Sequence, residues 1–198
     1  MNRIFYIIVI AAMFSLAANG QDSENKPVLS EKAQMITKLV DLDSTQLINL
    51  QIVDAAYKLK MDTALNISSD RNLSAQKLYE ANKLFEWNVF ENIFTEQQTT
   101  QYVMLLYGRE ILAQTNAYVD FLSSSGKYSQ DELKTFTSEI FQYIGNIWRV
   151  RIRDRYWFER SEDSVNQLEK DKPASFVEAE AMWKAKHRGI EYQNGYKW

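Results

Sequence analysis

The chain of 198 residues contains no cysteine, one histidine, two prolines and six glycines. The missing thiol excludes a disulfide scaffold, a zinc-thiolate site, a thiol nucleophile and the lipid-bearing cysteine of a lipoprotein. A single imidazole and few glycines weaken the case for an enzyme. Beyond the first twenty residues no apolar run approaches the roughly 20 residues that a transmembrane helix needs. Acidic residues outnumber basic ones, 26 against 23, which argues against a nucleic-acid partner. What is present is 45% apolar and 25% charged residues, the balance of a chain that folds around a core. Its length allows one domain or at most two small ones.

Residues 1–20 read as a leader. Arg3 precedes an uncharged stretch at 4–16, followed by the small and polar Ala17, Ala18, Asn19 and Gly20. That layout is a secretory signal peptide, with an apolar stretch too short for a membrane span. Cleavage is expected before Gln21, leaving a mature chain 21–198 that is periplasmic or secreted and has no membrane span. The basic residues of this mature chain gather in its second half.

No proline lies between Pro27 and Pro173, and a β-sandwich of this size would need many proline and glycine turns. Long helices are therefore expected. Leu47, Leu50, Val53, Tyr57, Met61 and Ala64 recur at steps of three and four, with Ile48, Ile52, Ala55 and Leu59 widening the stripe. This is a helix over 44–65 that needs a partner. The same spacing predicts helices near 73–93, 96–122 and 130–160, and shorter ones at 30–40 and 175–187. The segments 66–72, 123–127 and 161–172 read as loops. Gly108 and Gly145, each unfavourable inside a helix, are expected at close helix crossings. The reading is an all-α fold of long antiparallel helical hairpins forming a single domain over 21–198.

Several helix starts carry a recurring signature. Asp43 is an N-cap acceptor with Gln46 three positions on to reciprocate, and Leu42 and Leu47 are spaced as a hydrophobic staple. Phe94, Thr95 and Gln98 repeat the arrangement; Ser129 with Glu132, flanked by Tyr128 and Leu133, is a third, and Ser175 with Glu178 a fourth. Such boxes are structural devices, each cap worth about 1 kcal/mol.

The first two boxes, about fifty residues apart, resemble the L-T-x-x-Q motifs of the Spy/CpxP family, with Asp43 in place of Thr in one and Phe94 in place of Leu in the other. The helix over 31–40 and the Tyr and Leu residues after the second box add to the resemblance, which covers roughly residues 28–110. It implies an all-α periplasmic protein, often a cradle-shaped antiparallel dimer. The implied role is an ATP-independent chaperone or an accessory of envelope-stress signalling. Metal-sensing relatives use His and Cys ligands, which this chain lacks. The second half reads as a second copy: a shift of 86 residues lays Leu47 on Leu133, Leu50 on Phe136, Tyr57 on Tyr143 and Met61 on Ile147. Repeat halves at 41–98 and 127–183 would make one chain an internal pseudo-dimer, the alternative to a homodimer. A shared 3.6 period alone also yields such an alignment.

The most unusual segment interleaves Arg149, Arg151, Arg153, Arg155 and Arg160 with Trp148, Tyr156, Trp157 and Phe158. Arginine and aromatic residues are enriched at binding interfaces, which makes Trp148, Arg149, Arg151, Arg153, Arg155 and Trp157 the candidate partner-binding residues. The competing reading is structural: Asp154, Glu159, Glu162 and Asp163 neutralise the arginines while the aromatics fill the core. A short strand over 149–155 is a third reading. His187 reads as an exposed histidine at a helix end, and no pattern implies a metal or cofactor. The aromatic tail at 189–198 either docks on the helices or reaches a partner. The expected partners are unfolded or stress-exposed envelope proteins or an envelope sensor. The rival readings are an adaptor for one folded envelope partner and an enzyme of unrecognised type.

Overall fold

The computed structural model describes residues 28–67 and 70–187. The expected leader and the aromatic tail lie outside the described residues. Among those described there are seven α-helices, one π-helical turn and no strand: α1 (Glu31–Leu39), α2 (Ser44–Leu65), α3 (Arg71–Asn88), the π-helical turn Val89–Ile93, α4 (Glu96–Ser124), α5 (Gln130–Arg153), α6 (Phe158–Lys170) and α7 (Ala174–Lys186). The fold is all-α. The chain divides into two compact units between Ile93 and Phe94, a boundary inside the segment 41–98.

Three of the four capping boxes form, and each sets where a long helix begins. The Asp43 N–H donates to Gln46 Oε1 at 3.1 Å, and the Gln46 N–H returns a bond to Asp43 Oδ1 at 2.8 Å. Thr95 and Gln98 exchange bonds of 2.9 and 3.2 Å, Ser129 and Glu132 bonds of 2.8 and 3.3 Å. Each pair satisfies two of the backbone donors that a helix start leaves orphaned. The fourth box does not form. Pro173, with φ at −60°, starts α7 ahead of Ser175. Ser175 is buried within the first turn, where its hydroxyl donates to Glu139 at 2.7 Å, and Glu178 accepts from the Tyr128 hydroxyl.

In the first unit α2 and α3 form an antiparallel hairpin. Its register is marked by the Ser74 hydroxyl on the Ala64 carbonyl near the tip, Tyr57 against Phe85 in the middle, and Gln46 on the Ile93 carbonyl at the base. Leu50, Ala64, Ala81 and Phe85 are buried. The broad stripe expected on α2 is only half covered: Leu47, Ile48, Ala55 and Leu59 are exposed. One partner helix covers one side of a cylinder, and the stripe extends further round than α3 reaches.

In the second unit α4 pairs with α5, α7 packs on both, and α6 packs on α5. Val103, Ile111, Leu122, Ile140, Ile144 and Phe176 form its core. The Phe176 ring sits 4.7 Å from both Tyr118 and Tyr143. Gly145 is at a close crossing, since a Cβ there would meet Met104 Cε at 2.5 Å; Gly108 is not, having nothing within 4 Å. At the 86-residue shift, buried Leu50 falls on part-buried Phe136 and exposed Leu47 on buried Leu133.

The largest departure from expectation lies at 130–160. The helix stops at Arg153, and α6 (Phe158–Lys170) takes up most of the segment 161–172 that reads as a charged loop. A buried carboxylate decides this. Asp154 is 1% exposed and takes ion pairs from Arg153 and Arg160. On a continuous helix, positions six apart lie about 240° round the axis and 9 Å along it, so Arg160 could not return to Asp154. The chain turns instead, with the Trp157 N–H on the Asp154 carbonyl at 2.8 Å. Beyond the turn, half-buried Ser161, Ser164, Val165 and Leu168 supply a narrow helical stripe.

Candidate functional site

The candidate partner-binding residues straddle this corner, where α5 ends and α6 begins. Residues 149–153 are helical, which disposes of the strand reading. Trp148 is half-buried: its Nε1–H donates to Gln114 Oε1 at 3.0 Å and its ring lies 5.1 Å from that of Tyr107. Arg149 is held by Glu96 through Nη1 at 2.8 Å. Arg153 binds Asp154 through two hydrogen bonds, Nε at 3.0 Å and Nη2 at 2.6 Å, and Arg160 adds a third guanidinium contact at 3.1 Å. These residues build the corner, with Asp154 as the neutralising group.

The remaining residues form its outer surface. Arg151 and Arg155 are exposed. The Arg155 guanidinium lies 5.2 Å from the centre of the Tyr156 ring, which meets the half-buried Trp157 edge-on at 6.1 Å. Phe158 stands 77% exposed beside them. An exposed phenyl ring offers apolar area that a partner can remove from water. Of the six residues the sequence singles out, Trp148, Arg149 and Arg153 are tied by side-chain bonds to Gln114, Glu96 and Asp154, Trp157 is half-buried, and Arg151 and Arg155 are exposed.

A second apolar surface was not foreseen as such. Ile48, Ile52, Ala55 and Leu59 lie at i, i+4, i+7 and i+11 on α2, one line of a helix about 16 Å long. Ile48, Ala55 and Leu59 are exposed, Leu59 at 68%. Their apolar character was legible; that three of the four stay exposed among the described residues was not.

The sole histidine is half-buried and not exposed as expected. It caps the end of α7, with Nδ1 2.8 Å from the Trp183 carbonyl oxygen, its ring stacked on Trp183 at 4.8 Å and edge-on to Phe121 at 6.0 Å. Among the described residues no group of three or more His, Asp or Glu side chains is arranged to hold a metal ion, and no helix is long and apolar enough to cross a membrane.

A polar cluster joins α5, α6 and α7. Lys172 Nζ reaches Glu169 at 2.7 Å and Glu180 at 3.2 Å; Glu180 also binds Lys184 at 3.0 Å, and the Tyr143 hydroxyl donates to Glu169 at 3.2 Å. Burial raises the Tyr143 pKa well above the phenol range, and the charge on Glu169 adds to it. This hydroxyl stays protonated and serves as a donor. The cluster clasps α7 onto the core. The chain matches no protein-family model, no curated protein and no solved structure.

Proposed function

We propose that this chain is a periplasmic Spy/CpxP-like binding protein, an ATP-independent chaperone or envelope-stress accessory that holds protein clients reversibly on its surface and carries out no catalysis. The observation that carries this reading is the apolar line on α2 in which Ile48, Ala55 and Leu59 are exposed and Ile52 is half-buried between them. Exposed leucines scattered singly are ordinary, but a continuous apolar line marks an interaction surface. Full burial of one such side chain contributes roughly 1.5–3 kcal/mol, against an association cost of roughly 4–15 kcal/mol. A few half-exposed contacts therefore hold a client weakly and let it go, as a chaperone that uses no nucleotide must. The resemblance of the two capping boxes to the L-T-x-x-Q motifs supports the same reading, and the leader-like layout of the sequence over 1–20 supports an envelope location.

A second reading draws on the corner at Arg151, Arg155 and Phe158: an adaptor that binds one folded envelope partner through the C-terminal half. One assay separates the two. Purified mature protein is mixed with an unfolding client in the absence of nucleotide. Suppression of aggregation near stoichiometric amounts, weakened by Ile48→Ser with Leu59→Ser, supports the chaperone. No suppression, together with capture of a single folded partner that Phe158→Ser abolishes, supports the adaptor.

A further inference from the structure

The first unit contains a cage for an ammonium group. Lys32, in the first turn of α1, places Nζ 2.7 Å from Glu86 Oε1 and 2.7 Å from Asn82 Oδ1, with the ring centres of Tyr57 and Phe85 at 5.6 and 5.3 Å. Glu86 is 5% exposed. The cage is preset by its own bonds. Asn82 donates from Nδ2 to the Leu78 carbonyl, which turns Oδ1 toward the ammonium, and the Tyr57 hydroxyl donates to that same oxygen at 3.3 Å. Tyr57 and Phe85 pack at 4.8 Å. A carboxylate, an amide oxygen and two ring faces suit a compact point charge better than a planar guanidinium.

All four walls come from the α2–α3 hairpin, whereas the occupant comes from α1, a nine-residue helix below the length at which a helix is stable alone. The other ties of this segment are also polar. The Ser30 N–H and hydroxyl donate to the buried Asp54, and Lys58 Nζ donates to the Val28 carbonyl at 2.6 Å. Its apolar anchors are Ala33, Ile36 and Val40. Helix α1 thus lies across the hairpin like a bound peptide with the pattern Ser-x-Lys-Ala-x-x-Ile, tethered in cis.

We propose that this recess is an exchangeable lysine site: α1 fills it in the resting chain, and an amphipathic helical segment of a client, bearing a lysine in its first turn, takes its place. The proposal rests on the reading of the chain as a reversible protein binder and names the client chemistry. Charge complementarity commits the site to a segment with a lysine, since the buried Glu86 carboxylate faces the incoming ammonium, while Asp54, paired with Lys58 of its own helix, accepts the neutral Ser30 donors.

The test uses the full chain and a fluorescent peptide of residues 28–41 as the probe. Lys32→Met should bind the peptide at least tenfold more tightly than wild type, a peptide with norleucine in place of lysine should bind at least tenfold more weakly, and Glu86→Gln in the Lys32→Met chain should abolish binding. If Lys32→Met loses its helical circular dichroism, Ser30→Ala replaces it, with a severalfold gain expected. Equal binding of the two peptides, or no binding to a folded variant, overturns the proposal. So do mixed dimers of wild-type and Lys32→Met chains, which would assign the recess to α1 of a second copy. Lost peptide binding with aggregation suppression intact removes the lysine site alone; lost suppression with peptide binding intact removes the reading beneath it.

Discussion

The side-chain amide of Gln46 donates a 2.6 Å hydrogen bond to the main-chain carbonyl of Ile93, 47 positions away. The same side chain accepts the Asp43 N–H through Oε1. One residue therefore caps the start of α2 and closes the end of the π-helical turn that continues α3. A glutamate could perform the first task, as Glu132 does for Ser129, but has no proton for the second. Gln46→Glu should destabilise the protein by about 1–3 kcal/mol, the range for a polar contact broken with its partner left behind. Glu132→Gln should stay within about 0.5 kcal/mol, as substitutions at exposed sites usually do. Urea midpoints of the two variants measure the contrast.

The two helical glycines should respond differently to alanine. Gly108 has open space where a Cβ would stand, so Gly108→Ala is expected to stabilise by up to about 1 kcal/mol. At Gly145 the new methyl meets the mobile end of Met104, and displacing that side chain offsets the helix-forming gain. Gly145→Ala is expected near neutrality and Gly145→Val to be destabilising, all read from thermal melts.

Asp154→Ala should unfasten the α5–α6 corner. Removing one member of a buried ion pair costs roughly 3–5 kcal/mol when both members are enclosed; Arg153 and Arg160 remain part-exposed, so about 2 kcal/mol is expected. Hydrogen exchange should show the loss first in the amides of α6, which has no buried residue of its own. Unchanged protection of 158–170 would deny Asp154 this role.

The clasp on α7 predicts an acid limb. Burial alone would raise the Glu180 pKa, but hydrogen bonds and charge from Lys184 and Lys172 outweigh it and leave the carboxyl below its ordinary range. A carboxyl depressed on folding contributes stability that is present above its unfolded pKa and lost as pH falls through the folded one. Melting temperature should therefore fall in acid, and Glu180→Gln should flatten that slope while lowering stability at neutral pH. Lys172 gives the opposite limb: burial lowers its pKa, yet Glu169 and Glu180 hold it raised, so its contribution fades only as pH rises beyond the ordinary lysine range.

Phe158 offers a functional variant with little structural cost. Its ring is 77% exposed, so Phe158→Ser should alter stability by no more than about 0.5 kcal/mol. Under the adaptor reading, retention of the folded partner, measured by pull-down from an envelope extract, should be lost. Retention equal to wild type would remove the corner from the binding surface.

What the amino-acid order determined alone is local: helix starts at Asp43, Thr95 and Ser129, the long helical periods between Pro27 and Pro173, and the arginine-aromatic cluster at 148–160. Each depends on neighbours three or four positions apart, which a helix always brings together. Tertiary structure decided what depends on distant partners. Asp154 ended a helix because Arg160 had to return to it, and Ser175 lost its cap to Glu139 and the proline before it. Ile48 and Leu59 were left open because α3 covers only one side of α2. Lys32 met Glu86, 54 positions on, in a cage no pattern announces. Burial and ion pairing are properties of the packed surfaces, and periodicity specifies only which residues are able to face them.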